Sequence, residues 1–284
     1  MELLNQAVKL YKQPNFQLNG IFKAVEYAGR CCYNSYDKIT DSSYLHFIKM
    51  LRKSKHYSPF AFGTVHLKIH FNKLPDAMEF KNEATHKMVH NASIDEFFCI
   101  AGWSDVFSIE DNWYITTNAR IMEEWIVYLG KEKFSLWDLL SECITDEEQD
   151  KFEDRPFVKC TTSIAMTREL NRHSTSLAIC EKSTRYVKVE EVIKPYWYDN
   201  TEKCNKVVFD RAMENAINDY NLLLTFDMQK QQARDVLPLA TSTDVCYCGL
   251  MSDWNWVVKQ RSANNVHPQM KELINLIKDV IYFE

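Results

Sequence analysis

Arg168-Glu169-Leu170-Asn171-Arg172-His173-Ser174, continuing to Glu181-Lys182-Ser183-Thr184-Arg185-Tyr186, is the most informative stretch of the chain. The pattern predicts a short helix over roughly 165–173. On that helix Glu169 lies three residues before Arg172 and four before His173, so the three share a face. Glu181 to Val189 reads as extended. A strand's side-chain period of two then puts Glu181, Ser183 and Arg185 on one side. The two pieces can converge as a polar cluster of arginines, a histidine, carboxylates and a hydroxyl. Arginine binds phosphate bidentately, and carboxylate or serine can bond ring and sugar groups. The cluster suits a phosphate beside a ring with amide-like edges. Taken as charges alone, the same residues more often form a solvated ion-pair face.

Working outward, Phe157 to Ser163 reads as a strand. Further upstream, helical periodicity covers 19–32, with Ile21, Phe22, Val25 and Ala28. A second helix starts near Asp41-Ser42-Ser43 and runs through Tyr44, Phe47, Ile48 and Leu51. Val65, Leu67, Ile69 and Phe71 alternate with Thr64, His66, Lys68 and His70, the pattern of a half-buried strand. Residues 73–112 show no clear period. Trp113 to Thr117 is a short strand, and 118–130 and 134–153 read as helical. Downstream, a long amphipathic helix covers about 207–234 and Pro238 stops it. Another helix covers 243–260. A last one starts at His267-Pro268 and carries Met270, Leu273, Ile274, Ile277, Val280 and Ile281 as its apolar stripe. Helices and strands mix without a regular βαβ alternation, so the expected class is α+β, a mixed sheet packed with helices in one domain.

Composition narrows the function. The chain has 284 residues, 46% hydrophobic and 13% aromatic, enough for a sizeable core. Its formal net charge is −5, without a long Lys/Arg block, which argues against a nucleic-acid-coating protein. Small phosphorylated ligands need only a few placed arginines and stay open. The N-terminus lacks the pattern of a signal peptide, and no apolar run approaches the ~18 residues of a membrane span. The expected location is cytoplasmic.

Nine cysteines occur without disulfide-framework spacing. Cys31-Cys32 and Cys246-Tyr247-Cys248 lack the CxxC pairing of zinc sites. His86 and His90, four apart, lack a third ligand and read as a solvated helix face. No metal is expected. The six glycines, at 20, 29, 63, 102, 130 and 249, form neither GxGxxG nor a P-loop. Any dinucleotide is therefore held without a glycine-rich cradle.

The segment 172–186 resembles the signature of flavin-dependent thymidylate synthases, usually written RHR, seven residues, then SxRY. Arg172-His173 and Ser183-Thr184-Arg185-Tyr186 carry the match. His56-Tyr57-Ser58-Pro59-Phe60 is similar to the family's upstream histidine motif. Trp113 to Asn118 resembles a stretch of one branch of the family. Ala233-Arg234-Asp235-Val236-Leu237-Pro238-Leu239 matches its ARxxLP segment. Asp253-Trp254, Arg261 and His267-Pro268-Gln269 match its C-terminal segment in order. The likeness spans roughly 20–275. Two departures stand out. Ser174 replaces the third RHR residue, with eight residues before Ser183 instead of seven, and Ala61 stands where the family often has glutamate.

The resemblance implies a homotetramer of the family's fold, with active sites shared between subunits and 73–155 as a branch insertion in a single domain spanning 1–284. It implies reductive methylation of dUMP to dTMP without a cysteine nucleophile. The carbon donor would be 5,10-methylenetetrahydrofolate, with FAD as cofactor and NADPH as reductant. It places His56, Ser58, Arg172, His173, Ser174 and Glu181 at the flavin. It places Glu169, Arg172, Ser183, Arg185, Arg234 and Arg261 at the nucleotide, Arg261 stabilising charge on the reacting pyrimidine. Cys180, Cys246 and Cys248 read as core residues, the last two on a helix. The departures leave two alternatives. One is a variant methylating or hydroxymethylating dCMP or dUMP for modified DNA. The other is a non-catalytic flavin- or nucleotide-binding homologue.

Overall fold

The helix Leu18–Tyr33 organises the molecule, because its apolar residues form two faces. Ile21 and Val25, four apart, enter one core. Ala24, Ala28 and Cys31 enter another. Helical spacing turns one segment into a two-sided spine. The helix ends at Asn34, whose φ of 46° is left-handed and whose N–H bonds the carbonyls of Arg30 and Cys31. Gly29 lets the next helix, Ser43–Lys53, come close: a Cβ there would stand 2.5 Å from the Phe47 ring. Glu26, buried on the spine, accepts bonds of 2.8 Å from Arg30 and from Ser43 on that neighbour.

The computed structural model describes residues 1–282; the last two residues of the single-domain expectation lie outside the described residues. The main sheet has four antiparallel strands in the order Ala178–Glu181, Ser242–Cys248, Phe157–Ser163 and Ala7–Tyr11. Period two sorts its side chains. Val158, Cys160, Val245 and Tyr247 face the helices Ile164–Leu170, Met251–Arg261 and Pro268–Tyr282. Phe157, Cys180, Cys246 and Cys248 face the spine helix. Trp254, fully buried, fixes one helix to the sheet by donating its indole N–H to the Pro156 carbonyl at 3.0 Å. The class is thus α+β, as the sequence indicates.

Several local expectations are corrected. Residues 242–248 form a strand in place of the start of a helix, because each flanking strand pairs with them along nearly its whole length. Cys246 and Cys248 are buried, but on that strand. The strand before Ser183 ends at Glu181, and Tyr186 and Val187 then donate to the Ser183 carbonyl in a turn. Glu181, Ser183 and Arg185 therefore do not alternate along one strand. The long helix runs Lys203–Thr225 and stops well before Pro238, at Asp227 with a left-handed φ of 60°.

The segments read as helical, 118–130 and 134–153, are helical only in part. Ala119–Glu124 is a single helical piece, after which Trp125–Leu129 pairs on one side with Met78–Asn82 and on the other with Glu132–Ser135. The aromatic and branched residues Trp125, Ile126, Val127 and Tyr128 suit that pleated position. Beyond it only Leu136–Leu140 is α-helical, followed by 3₁₀ turns. His86 and His90 lie on the hairpin joining Met78–Asn82 to Met88–Ala92, so they share no helix face.

Candidate functional site

Ser163 caps the helix Ile164–Leu170 by accepting from the Met166 N–H. Ile164, Thr167, Arg168 and Asn171 then recur at helical spacing and form one wall of a cleft of about 560 Å³. Glu181 to Thr184 form a second wall. Arg234, Asp235 and Leu237 to Leu239 form the third. Pro238 ends the helical turns ahead of it, which holds the third wall in place.

A bonded chain fixes the acidic centre of this cleft. Glu181 accepts from the Thr167 hydroxyl at 3.0 Å and from the Asn171 amide at 3.3 Å. Asn171 in turn accepts from the Tyr247 hydroxyl at 2.7 Å. Burial pushes the Glu181 carboxyl above the usual carboxylate range, and the Thr167 and Asn171 bonds oppose that rise. Three cations line the same cleft. Arg234 donates to the Thr184 hydroxyl at 3.2 Å, Lys182 is buried with Glu191 at 3.6 Å, and Arg168 is exposed at the edge. A cleft lined by these cations can hold phosphate.

The other face of the same helix builds a second cluster. Arg261, at the end of its helix, donates to the Glu169 carbonyl at 2.5 Å and to His173 Nε2 at 2.9 Å. Its Nη1 lies 3.6 Å from the Glu169 carboxylate. Accepting at Nε2 requires a neutral imidazole carrying its proton on Nδ1. Burial, and then Arg261, lowers the His173 pKa and favours that state. Trp256 packs edge-on to the ring at 5.2 Å.

The sequence-predicted residues thus fall into several places. Glu181, Ser183 and Arg234 share the cleft. Glu169, His173 and Arg261 meet on the opposite helix face. Arg172 and Ser174 are exposed on the 3₁₀ turn that follows, and Arg185 lies over the Tyr186 ring at 5.3 Å. His56 stands edge-on to Tyr33 at 6.4 Å, and Tyr33 reaches Tyr186 at 6.0 Å. Burial lowers the His56 pKa. Ser58 opens the 3₁₀ turn Ser58–Phe62, which packs between the spine helix and the strand Ala178–Glu181. Sequence reasoning left out Thr167, Arg168, Asn171, Lys182, Thr184 and Tyr247. The spacing 164, 167, 168, 171 carried a usable signal for the first three. Lys182 and Thr184 depend on where the strand ends, and Tyr247 depends on the strand misread as helix.

The cleft and the Arg261 cluster lie within the region matched by the family model for thymidylate synthase complementing protein, which covers residues 130–282; His56 and Ser58 lie before it. The chain belongs to the thymidylate synthase complementing protein family. It is 24% identical over 163 residues to a probable flavin-dependent thymidylate synthase of Paramecium bursaria Chlorella virus 1, covering 51% of this chain and 75% of the relative. Among solved structures it is similar to thymidylate synthase X from Helicobacter pylori, solved with FAD and dUMP. That match has 18% identity and a TM-score of 0.37, over 45% of this chain and 67% of that one. It is also similar to the UMP/dUMP methylase PolB from Streptomyces cacaoi bound with 5-Br UMP. There the identity is 15% and the TM-score 0.43, over 98% of this chain and 89% of that one. Among the described residues no three His, Cys, Asp or Glu side chains gather as a metal site, and no helix is long and apolar enough to cross a membrane.

Proposed function

We propose that the chain is a flavin-dependent thymidylate synthase that converts dUMP to dTMP. The carbon would come from 5,10-methylenetetrahydrofolate and the reducing equivalents from NADPH. The observation that carries this reading is the cleft around Glu181, where Arg168, Lys182 and Arg234 face one space inside the family-matched region. The viral relative, a probable flavin-dependent thymidylate synthase, supports it.

In this reading Arg234, with Arg168 and Lys182 beside it, holds the nucleotide phosphate, and Ser183 and Arg185 bind at its sugar end. Arg261 is the catalytic residue. Its guanidinium, oriented by Glu169 and His173 on the helix face away from the cleft, acts on a nucleotide held in the cleft of another copy, where it stabilises negative charge on the pyrimidine carbonyls as the ring reacts. Cys180, Cys246 and Cys248, all buried, have no nucleophilic role.

The donor set fits a phosphate-bearing cofactor in its charged part. FAD supplies hydride transfer when bound. His56, Ser58, Arg172, His173, Ser174 and Glu181 would hold it. In one chain Arg172, His173 and Ser174 share a turn, Glu181 lines the cleft, and His56 and Ser58 lie at the start of the 3₁₀ turn Ser58–Phe62, so a common site calls for a second copy, in keeping with a homotetramer. The test is the visible spectrum of the purified protein, followed by Arg172→Ala. Flavin absorbance that falls after gel filtration of the variant supports the reading. A colourless protein that also fails to take up added FAD counts against it.

Ser174 and Ala61 favour a second reading as a homologue that binds but does not turn over. Ala61 is fully packed and contributes only its carbonyl, which accepts from Arg155 at 3.0 Å. A flavin-bearing protein inactive on dUMP and dCMP would support this reading.

A further inference from the structure

A second cleft, of about 290 Å³, lies by the Ala7–Tyr11 edge of the main sheet, the opposite edge from the strand that carries Glu181. Its volume sits near the lower end of small-molecule sites. Flat rings and aliphatic side chains make up much of its lining, including Phe16, Phe62, Phe157, Leu10, Met251 and Ile281. The rings are already stacked. Phe16 lies 4.0 Å from the His66 ring, and Phe152 covers the other side of that ring at 4.3 Å.

Arg155 lines the same cleft and is 9% exposed. Its guanidinium donates to the carbonyls of Ala61 and Thr117, at 3.0 and 3.4 Å, and to the Thr64 hydroxyl at 3.3 Å. Each of these acceptors is neutral, and Nε has no partner. A guanidinium has five N–H donors, so Nε and one Nη2 hydrogen remain after these bonds. Asp253 acts on this cation through space without bonding it. A buried cation bonded only to neutral oxygens is costly, and a carboxylate placed on it relieves that cost. His66 Nε2 is likewise buried without a partner. Its Nδ1 lies 2.8 Å from the Gln149 side-chain oxygen. Nδ1 therefore carries the proton and Nε2 is an acceptor. Asp154 is an acidic member of the lining, and it is exposed.

We propose that this cleft is a binding site for a small planar carboxylate, its ring against the aromatic wall and its carboxylate on Arg155. The site is independent of the nucleotide cleft, which uses other strands and other cations.

The test is isothermal titration of the full chain with 2-naphthoate, with 2-naphthalenemethanol as the neutral control. The blocking variants are Ile281→Trp and Met251→Trp, which fill the cleft from different helices and leave Arg155 untouched. If one fails to fold by circular dichroism, the other still gives the answer. Saturable naphthoate binding, weakened about tenfold or more in a folded blocking variant and about tenfold or more for the neutral control, supports the site. dUMP should not displace the bound naphthoate. No saturable binding up to about 10 mM would overturn the proposal. Binding that a folded blocking variant leaves unchanged, that the neutral control matches, or that dUMP displaces would also overturn it.

Discussion

Arg261→Ala is the sharpest substitution at the residue scale. The guanidinium is held by the Glu169 carbonyl and by His173, so truncation removes a positioned charge and leaves His173 Nε2 without its donor. Turnover should fall by about 100- to 1000-fold, with flavin absorbance nearly intact. Activity equal to the parent would sink the catalytic assignment. Arg234→Ala acts differently, because Arg234 faces the cleft. Loss of one charge-assisted phosphate bond, about 1.5–3 kcal/mol, should weaken dUMP binding about 10- to 100-fold by calorimetry. His66 gives a pH signature. Burial pushes its pKa down to about 4, against an unfolded value of 6.5. The unfolded chain therefore binds more protons between those values. The His66 contribution is full above pH 6.5 and is lost as pH falls through about 4, roughly 3 kcal/mol in all. His66→Phe should flatten that acid limb in thermal melts; an unchanged limb would show that other groups set it. Of the site, the sharing of one helix face by Glu169 and His173 was legible from spacing alone. Their common partner Arg261 was not, since a contact between distant segments leaves no local period.

At the scale of elements, local rules and tertiary pairing separate clearly. Asn118 caps the helix Ala119–Glu124 by accepting from the Arg120 and Ile121 N–H groups at 3.0 and 3.2 Å, and it is fully buried. Asn118→Ala should lower stability by about 1–2 kcal/mol in urea unfolding. No change in midpoint would mean that water replaces the cap. The elements read correctly, such as Leu18–Tyr33, Thr64–His70 and Pro268–Tyr282, carry a strong period of their own. Those misread needed a neighbour. Ser242–Cys248 becomes a strand because two strands flank it. Trp125–Leu129 becomes a strand because it lies between two others. The turn after Glu181 was hidden for a related reason: the Ser183 N–H bonds the Cys32 carbonyl, which lies on the distant spine helix.

For the whole molecule, the spine helix decides cooperativity. Ile21 and Val25 belong to the same core as Phe80 and Val127 of the region expected as an insertion, while Ala28 and Cys31 belong to the core on the main sheet. We read 73–155 as an insertion within one domain, so calorimetry should show a single unfolding transition. Two separated transitions would divide the chain into independent units. The helix Lys203–Thr225 leaves Val207, Val208 and Leu222 more than half exposed, and Phe226 beyond it is 71% exposed. A surface of this kind suits an interface between copies, and we expect a tetramer by sedimentation. The measurement that tests the central claim most directly is product analysis. The protein, FAD, NADPH and methylenetetrahydrofolate are incubated with dUMP or with dCMP, and the nucleotides are separated and weighed by mass spectrometry. The account predicts dTMP from dUMP, lost in Arg261→Ala. No methylated or hydroxymethylated nucleotide from either substrate, with flavin bound, would contradict it.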